Sequence, residues 1–164
     1  MKAANELSKH LKTMAKRLNC RIVTVKRLRE RGGKPVYGEV NTQDRVIYLA
    51  REAHGQTISL ENRLFVLAHE IRHILHKKDG LYSSYYSSFF RLNAGALGVG
   101  MRAELDCDRW AREKLREYKV KSTLAHRRYS KYKVSGYRAY SLHRALTGKI
   151  SKQMARYVSC SLKS

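Results

Sequence analysis

The chain has 164 residues, enough for one domain of ordinary size and too few for two. Apolar residues make up 43%, so a core can form, while 35 Lys and Arg against 13 Asp and Glu give a net charge of +22, which excludes an acidic solvating protein and points to a polyanionic partner. One Pro and ten Gly exclude collagen-like and Pro-rich chains, and no run of about 18 apolar residues suggests stable insertion in a membrane.

In chain order, Ala3, Leu7, Leu11, Met14 and Leu18 recur at helical spacing and predict an amphipathic helix over 3–18. Residues 20–28, rich in β-branched side chains, predict a strand. Two short β-rich runs, 36–40 and 45–50, flank the polar turn 41–44 and predict a hairpin. Ser59 is placed to cap a helix running to about Lys78, with Leu60, Leu64, Leu67, Ile71, Ile74 and Leu75 as its apolar stripe. Residues 80–100 are rich in Tyr, Ser and Gly and read mostly as loop. A further helix is expected over 101–118, and two more over about 122–132 and 136–159. The fold class expected is α+β: an N-terminal helix, a small three-stranded antiparallel or mixed sheet, two site-bearing helices and extra C-terminal helices.

Charge divides the chain. All 13 acidic residues lie in 1–118, which holds 23 Lys and Arg, whereas 119–164 holds 12 Lys and Arg and no acid. The expected organisation is therefore a domain over 1–118 and a basic, Tyr-rich helical extension over 119–164. The polar N-terminus lacks the apolar core of a secretory leader, and Cys20, Cys107 and Cys160 are odd in number and widely spaced. Both features predict a cytoplasmic protein without a disulfide framework.

The predicted helix 60–78 contains His69-Glu70-Ile71-Arg72-His73. An i, i+4 spacing puts both imidazoles on one helix face, as a shared metal requires, and Glu70 lies where it can take a proton from water held by that metal. Imidazole and carboxylate donors with an open fourth position favour zinc, one per chain. The sequence offers two candidates for a third ligand. His76 lies one turn beyond His73, toward the helix end, where a polar residue is the simpler reading. Glu104 is the better candidate, because Asp108 shares its helix face and can accept a hydrogen bond from a ligand histidine. Cys107 falls one position short of Asp108, which argues against it as a ligand.

The order of helix, three-stranded sheet, HExxH helix and a helix bearing Glu104-x-x-x-Asp108-Arg109-Trp110-Ala111 resembles the minimal gluzincin core, in particular the ImmA/IrrE-type metallopeptidases, a family common in phages and mobile elements. By motif the resemblance covers about 36–112. It implies His69, His73 and Glu104 as zinc ligands, Glu70 as catalytic base and Asp108 as a support to a ligand histidine. It departs from the family at Cys107, where Ala is frequent, and at Arg72, where Gly or Ala is frequent. The activity implied is a zinc-dependent endopeptidase acting on a protein substrate, such as a DNA-associated regulator.

Tyr82, Tyr85, Tyr86 and Arg102 are candidate donors to the developing oxyanion. The strand 45–50 is a candidate edge for pairing with an extended substrate. In the basic extension, Lys121, Arg127, Arg128, Lys131, Lys133 and Arg138 are interleaved with tyrosines and are candidate nucleic-acid contacts. The alternative reading is a nucleic-acid-binding protein whose zinc site is structural or vestigial, its fourth position closed by His76 or Cys107.

Overall fold

A computed structural model describes residues 2–29, 35–82 and 94–124. Helix α1 spans Lys2–Arg17 and buries Ala4, Leu7, Leu11 and Ala15, while Ala3, Met14 and Leu18 of the expected stripe pack half-buried at its border. Strand β1, Arg21–Val25, is followed by the short β2, Leu28–Arg29, and β3, Pro35–Val36, which pair antiparallel. Strands β4, Gly38–Asn41, and β5, Val46–Ala50, form the expected hairpin. Strands β6, Glu52–Ala53, and β7, Gln56–Thr57, form a second, smaller one. Helix α2 spans Leu60–Lys78 and α3 spans Ala94–Glu117. The molecule is thus α+β.

The main sheet has the order β1-β5-β4, mixed, with Arg21 opposite Val46 in the parallel pair and Gly38 opposite Leu49 in the antiparallel pair. The expectation that residues 45–50 form an exposed edge is therefore wrong: β5 is the central strand, with a neighbour on each side. Its nearly unbroken run Val46-Ile47-Tyr48-Leu49-Ala50 is the pattern of a strand covered on both faces, and all but Tyr48 are buried. Leu7 and Leu11 from α1, Ile47 and Leu49 from β5, Phe65, Leu67 and Ile71 from α2, and Ala111 and Leu115 from α3 share one core.

The described helices end alike. Cys20 N–H bonds to Ala15 O (2.8 Å), Leu81 N–H to His76 O (2.8 Å) and Val120 N–H to Leu115 O (2.8 Å). In each case the preceding residue is left-handed: Asn19 (φ 53°), Gly80 (φ 68°) and Lys119 (φ 55°). This is the Schellman termination, which satisfies otherwise orphaned carbonyls. At the start of α2, Ser59 Oγ accepts from Asn62 N–H (3.2 Å), as its position in the sequence predicts.

Three boundaries differ from expectation. Helix α3 begins at Ala94, not 101: extending a helix already nucleated avoids the nucleation cost, which offsets the poor propensity of Gly95, Gly98 and Gly100. The packed unit also continues past 118, since Val120 is part of the core. Asn62 Oδ1 then accepts from Ser122 Oγ (2.8 Å), Thr123 N–H (3.0 Å) and Leu124 N–H (3.3 Å), clasping this segment to the start of α2. Residues 122–124 are not helical, and the rest of the helices expected over 122–132 and 136–159 lies outside the described residues.

Gly38 marks the closest approach of β4 to α2. A Cβ there would collide with Val66 Cγ1 and approach Tyr48 O at 3.1 Å, and neither a β-branched side chain nor a backbone carbonyl can give way cheaply. Gly38→Ala should lower the free energy of unfolding by about 1–3 kcal/mol, measured by urea denaturation.

Candidate metal centre

Helix α2 turns His69, Glu70, His73 and His76 inward, all buried. Facing them, α3 presents Glu104, Cys107, Asp108 and Ala111, an i, i+3, i+4, i+7 stripe that is also buried. The small side chains of Ala103, Cys107 and Ala111 are wholly buried and let the helices approach closely. That approach puts two carboxylates into the interior, where charge persists only if paired.

The pairing is specific. His69 Nδ1 and Asp108 Oδ1 are 2.9 Å apart, and Arg112 Nη2 approaches the other carboxylate oxygen at 3.8 Å. Facing a carboxylate, Nδ1 carries the proton in neutral His69, so Nε2 presents its lone pair. That lone pair meets His73 Nε2 at 3.1 Å and Glu104 Oε2 at 3.4 Å, while Glu104 Oε1 lies 3.3 Å from His73 Nε2. Two imidazole nitrogens and a carboxylate thus converge, an arrangement that a shared proton or a bound cation can satisfy.

His69, His73 and Cys107 form a buried cluster whose donor atoms lie within 4.8 Å of one another, and which could hold a metal ion. This corrects the expectation for Cys107: three residues past Glu104 it remains on the same face of α3, and it points at the histidines. Its Sγ also lies 3.7 Å from His76 Nδ1.

His76 is likewise not the peripheral polar residue expected near a helix end. It is fully buried, its Nε2 lies 2.7 Å from Asp106 Oδ2, and Arg72 Nε donates to that same oxygen at 2.8 Å. Burial pushes the His76 pKa below its ordinary value, outweighing the opposing hydrogen bond of Asp106. Burial raises the pKa of Asp106, but the hydrogen bonds of His76 and Arg72 overcome this and leave it depressed. The group is therefore a neutral imidazole and a guanidinium sharing one carboxylate. Its signal in the sequence was weak, because Asp106 lies 30 residues from His76 and no local spacing links them.

Glu70 is buried and makes no hydrogen bond or ion pair among the described residues. The remaining candidates are scattered. Tyr82 stacks edge-on against His76, with ring centroids 4.7 Å apart, rather than over the His69–His73 pair. Arg102 is exposed, and its position two residues before Glu104 puts it on another face of α3. Tyr85 and Tyr86 lie outside the described residues, as do Arg127, Arg128, Lys131, Lys133 and Arg138. Lys121 is described and exposed.

The depressed pKa of His76 has a consequence for stability. The unfolded imidazole takes up a proton that the folded one resists, so in metal-free protein stability should fall as pH drops below about 6.5. The depressed Asp106 adds a further loss below about pH 4. In urea titrations at a series of pH values, His76→Gln should flatten the slope between about pH 6.5 and 5 by up to about 1.4 kcal/mol per pH unit. An unchanged slope would mean that His76 does not titrate on unfolding. Compared with protein-family models, curated proteins and solved structures, the chain matches none, so the reading of the site rests on its own geometry.

Proposed function

We propose that the chain is a zinc-dependent endopeptidase, with His69, His73 and Glu104 holding the metal and Glu70 as general base. The observation that carries this reading is the convergence of three donors beside an uncommitted carboxylate. Two ligands of a tetrahedral zinc, each about 2.0–2.2 Å from the ion, stand roughly 3.3 Å apart. The His69–His73 separation of 3.1 Å is close to that edge length, and each Glu104 oxygen stands at a comparable distance from one of the two imidazoles, Oε1 3.3 Å from His73 and Oε2 3.4 Å from His69. A bound zinc would supply Lewis acidity toward water and toward a substrate carbonyl.

The protein's own groups have separable tasks. Asp108 fixes the tautomer of His69 and aims its Nε2 at the shared point. Glu70 follows the first ligand directly in sequence and has no competing partner among the described residues. It takes a proton from the attacking water and returns it to the leaving amine, so no net proton is consumed. With β5 central, an extended substrate would have to pair with an outer strand of the sheet rather than with residues 45–50. The substrate class is protein, and the strongly basic chain favours one that associates with nucleic acid.

Glu70→Gln and His73→Ala test the proposal together, on substrate captured from the source cell. Glu70→Gln should retain about one zinc per chain and lose about 10²–10⁴-fold in cleavage rate, whereas His73→Ala should lose the zinc. Full cleavage by Glu70→Gln would exclude Glu70 as the base, and a wild-type protein that takes up no zinc would end the peptidase reading.

One observation favours a second reading. Cys107 lies among the histidines, and a thiolate there could close the fourth position and make the metal structural. The chain would then be a nucleic-acid-binding protein without peptidase activity. Cobalt substitution separates the two. A sulfur-to-cobalt charge-transfer band in the near ultraviolet, lost in Cys107→Ser, supports the closed site. Its absence in cobalt-loaded protein supports the open one.

A further inference from the structure

The C-terminal end of α2 also borders a basic cleft, to which it gives Ile74 and Lys78 from the side away from His69 and Lys77 from one turn beyond His73. Relative to His69, Ile74 and Lys78 lie roughly 140° and 180° around the helix. There the ends of α1 and α2 and the β4–β5 turn enclose a cleft of about 560 Å³. Arg17, Arg45, Lys77 and Lys78 line it, all exposed, and none of its lining residues is acidic. None of the four pairs with a carboxylate among the described residues, whereas Arg27, Arg72, Arg112 and Lys114 do. Cations in the last turn of a helix are an ordinary complement to its dipole, which accounts for Arg17, Lys77 and Lys78 taken singly. It does not account for Arg45, which belongs to no helix, or for the meeting of two helix ends around one cavity.

The cleft is also braced. Lys77 Nζ donates to Thr42 O (2.9 Å) and Arg45 Nη1 to Leu18 O (3.4 Å), tying the turn to both helices. Each tie uses one donor of a group that has three or five, so donors remain for a ligand. Arg45 and Asn19 both line the cleft with left-handed backbones (φ 52° and 53°), a conformation costly for arginine and kept only where its surroundings impose it.

We propose that this cleft binds the phosphate backbone of a nucleic acid. The lining chemistry selects among polyanion partners. A protein interface has an apolar centre, and a membrane-surface helix needs an apolar face. Here the apolar lining is only Leu18, half-buried, and Ile74, buried. A polar, strongly cationic surface is the character of a nucleic-acid interface, and Arg forks and Lys ammonium groups both suit phosphate oxygens. None of the residues that line the cleft belongs to the basic extension, and the site does not depend on the metal reading.

The salt dependence of binding to a labelled mixed-sequence DNA duplex tests this in the full-length protein. Each lost phosphate contact lowers the slope of log affinity against log salt by about 0.9. Lys77→Gln/Lys78→Gln should therefore reduce the slope by about 2, and Arg17→Gln/Arg45→Asn should do the same. The control Lys9→Gln/Lys12→Gln removes equal charge from exposed residues of α1 outside the cleft and should change the slope by less than half as much. Melting curves establish that each variant folds, and either cleft pair suffices if the other does not. Slopes that change equally in cleft and control variants would overturn the proposal. So would polyglutamate that competes as well as unlabelled DNA for the wild-type protein but not for the cleft variants.

Discussion

The structure depends on the close contact of α2 with α3, and that contact creates an electrostatic demand. Small side chains at 103, 107 and 111 let the helices meet, and the same stripe carries Glu104 and Asp108 out of water. A buried carboxylate without a partner would cost several kcal/mol. Asp108 meets the demand with His69 and Arg112, and Glu104 lies against His69 and His73. The rest of the site follows: one carboxylate orients a histidine, and the other, with both histidines, asks for a cation. The apolar core holds this geometry and does not supply its charge balance.

Three histidines on one helix face have three different surroundings. His69 is backed by a carboxylate, His73 faces its neighbours through Nε2, and His76 is sealed and held neutral between Asp106 and Cys107. Spacing alone treats His73 and His76 as near equivalents. What separates them is the opposing helix, which sets Glu104 against one and Asp106 against the other. Arg72 joins the second group, so a residue that departs from the family pattern helps to fix the helix that carries the site.

Much of this was legible in the sequence where the signal is local. The α1 stripe, the Ser59 cap, the hairpin around 41–44 and the shared face of His69 and His73 follow from periodicity and turn chemistry. The placement of β5 at the centre of the sheet was not read, although its apolar run carries the signal, because strand order is a property of long-range pairing. The early start of α3 was missed because glycine-rich composition outweighed helical continuity. Cys107 was misjudged by comparing it with Asp108 alone, although counting from Glu104 puts it on the same stripe. The β6–β7 hairpin escaped notice, although His54-Gly55, both left-handed, is a turn of the kind that joins two-residue hairpins.

The Asn62 clasp has a mechanical consequence. It fixes Thr123 and Leu124 beside the first turn of α2. Asn62 stands seven residues before His69, or about 10 Å along the helix axis. A pull on the chain at Leu124 would therefore act on α2 through Asn62, one end of the helix taking the load before the histidines do.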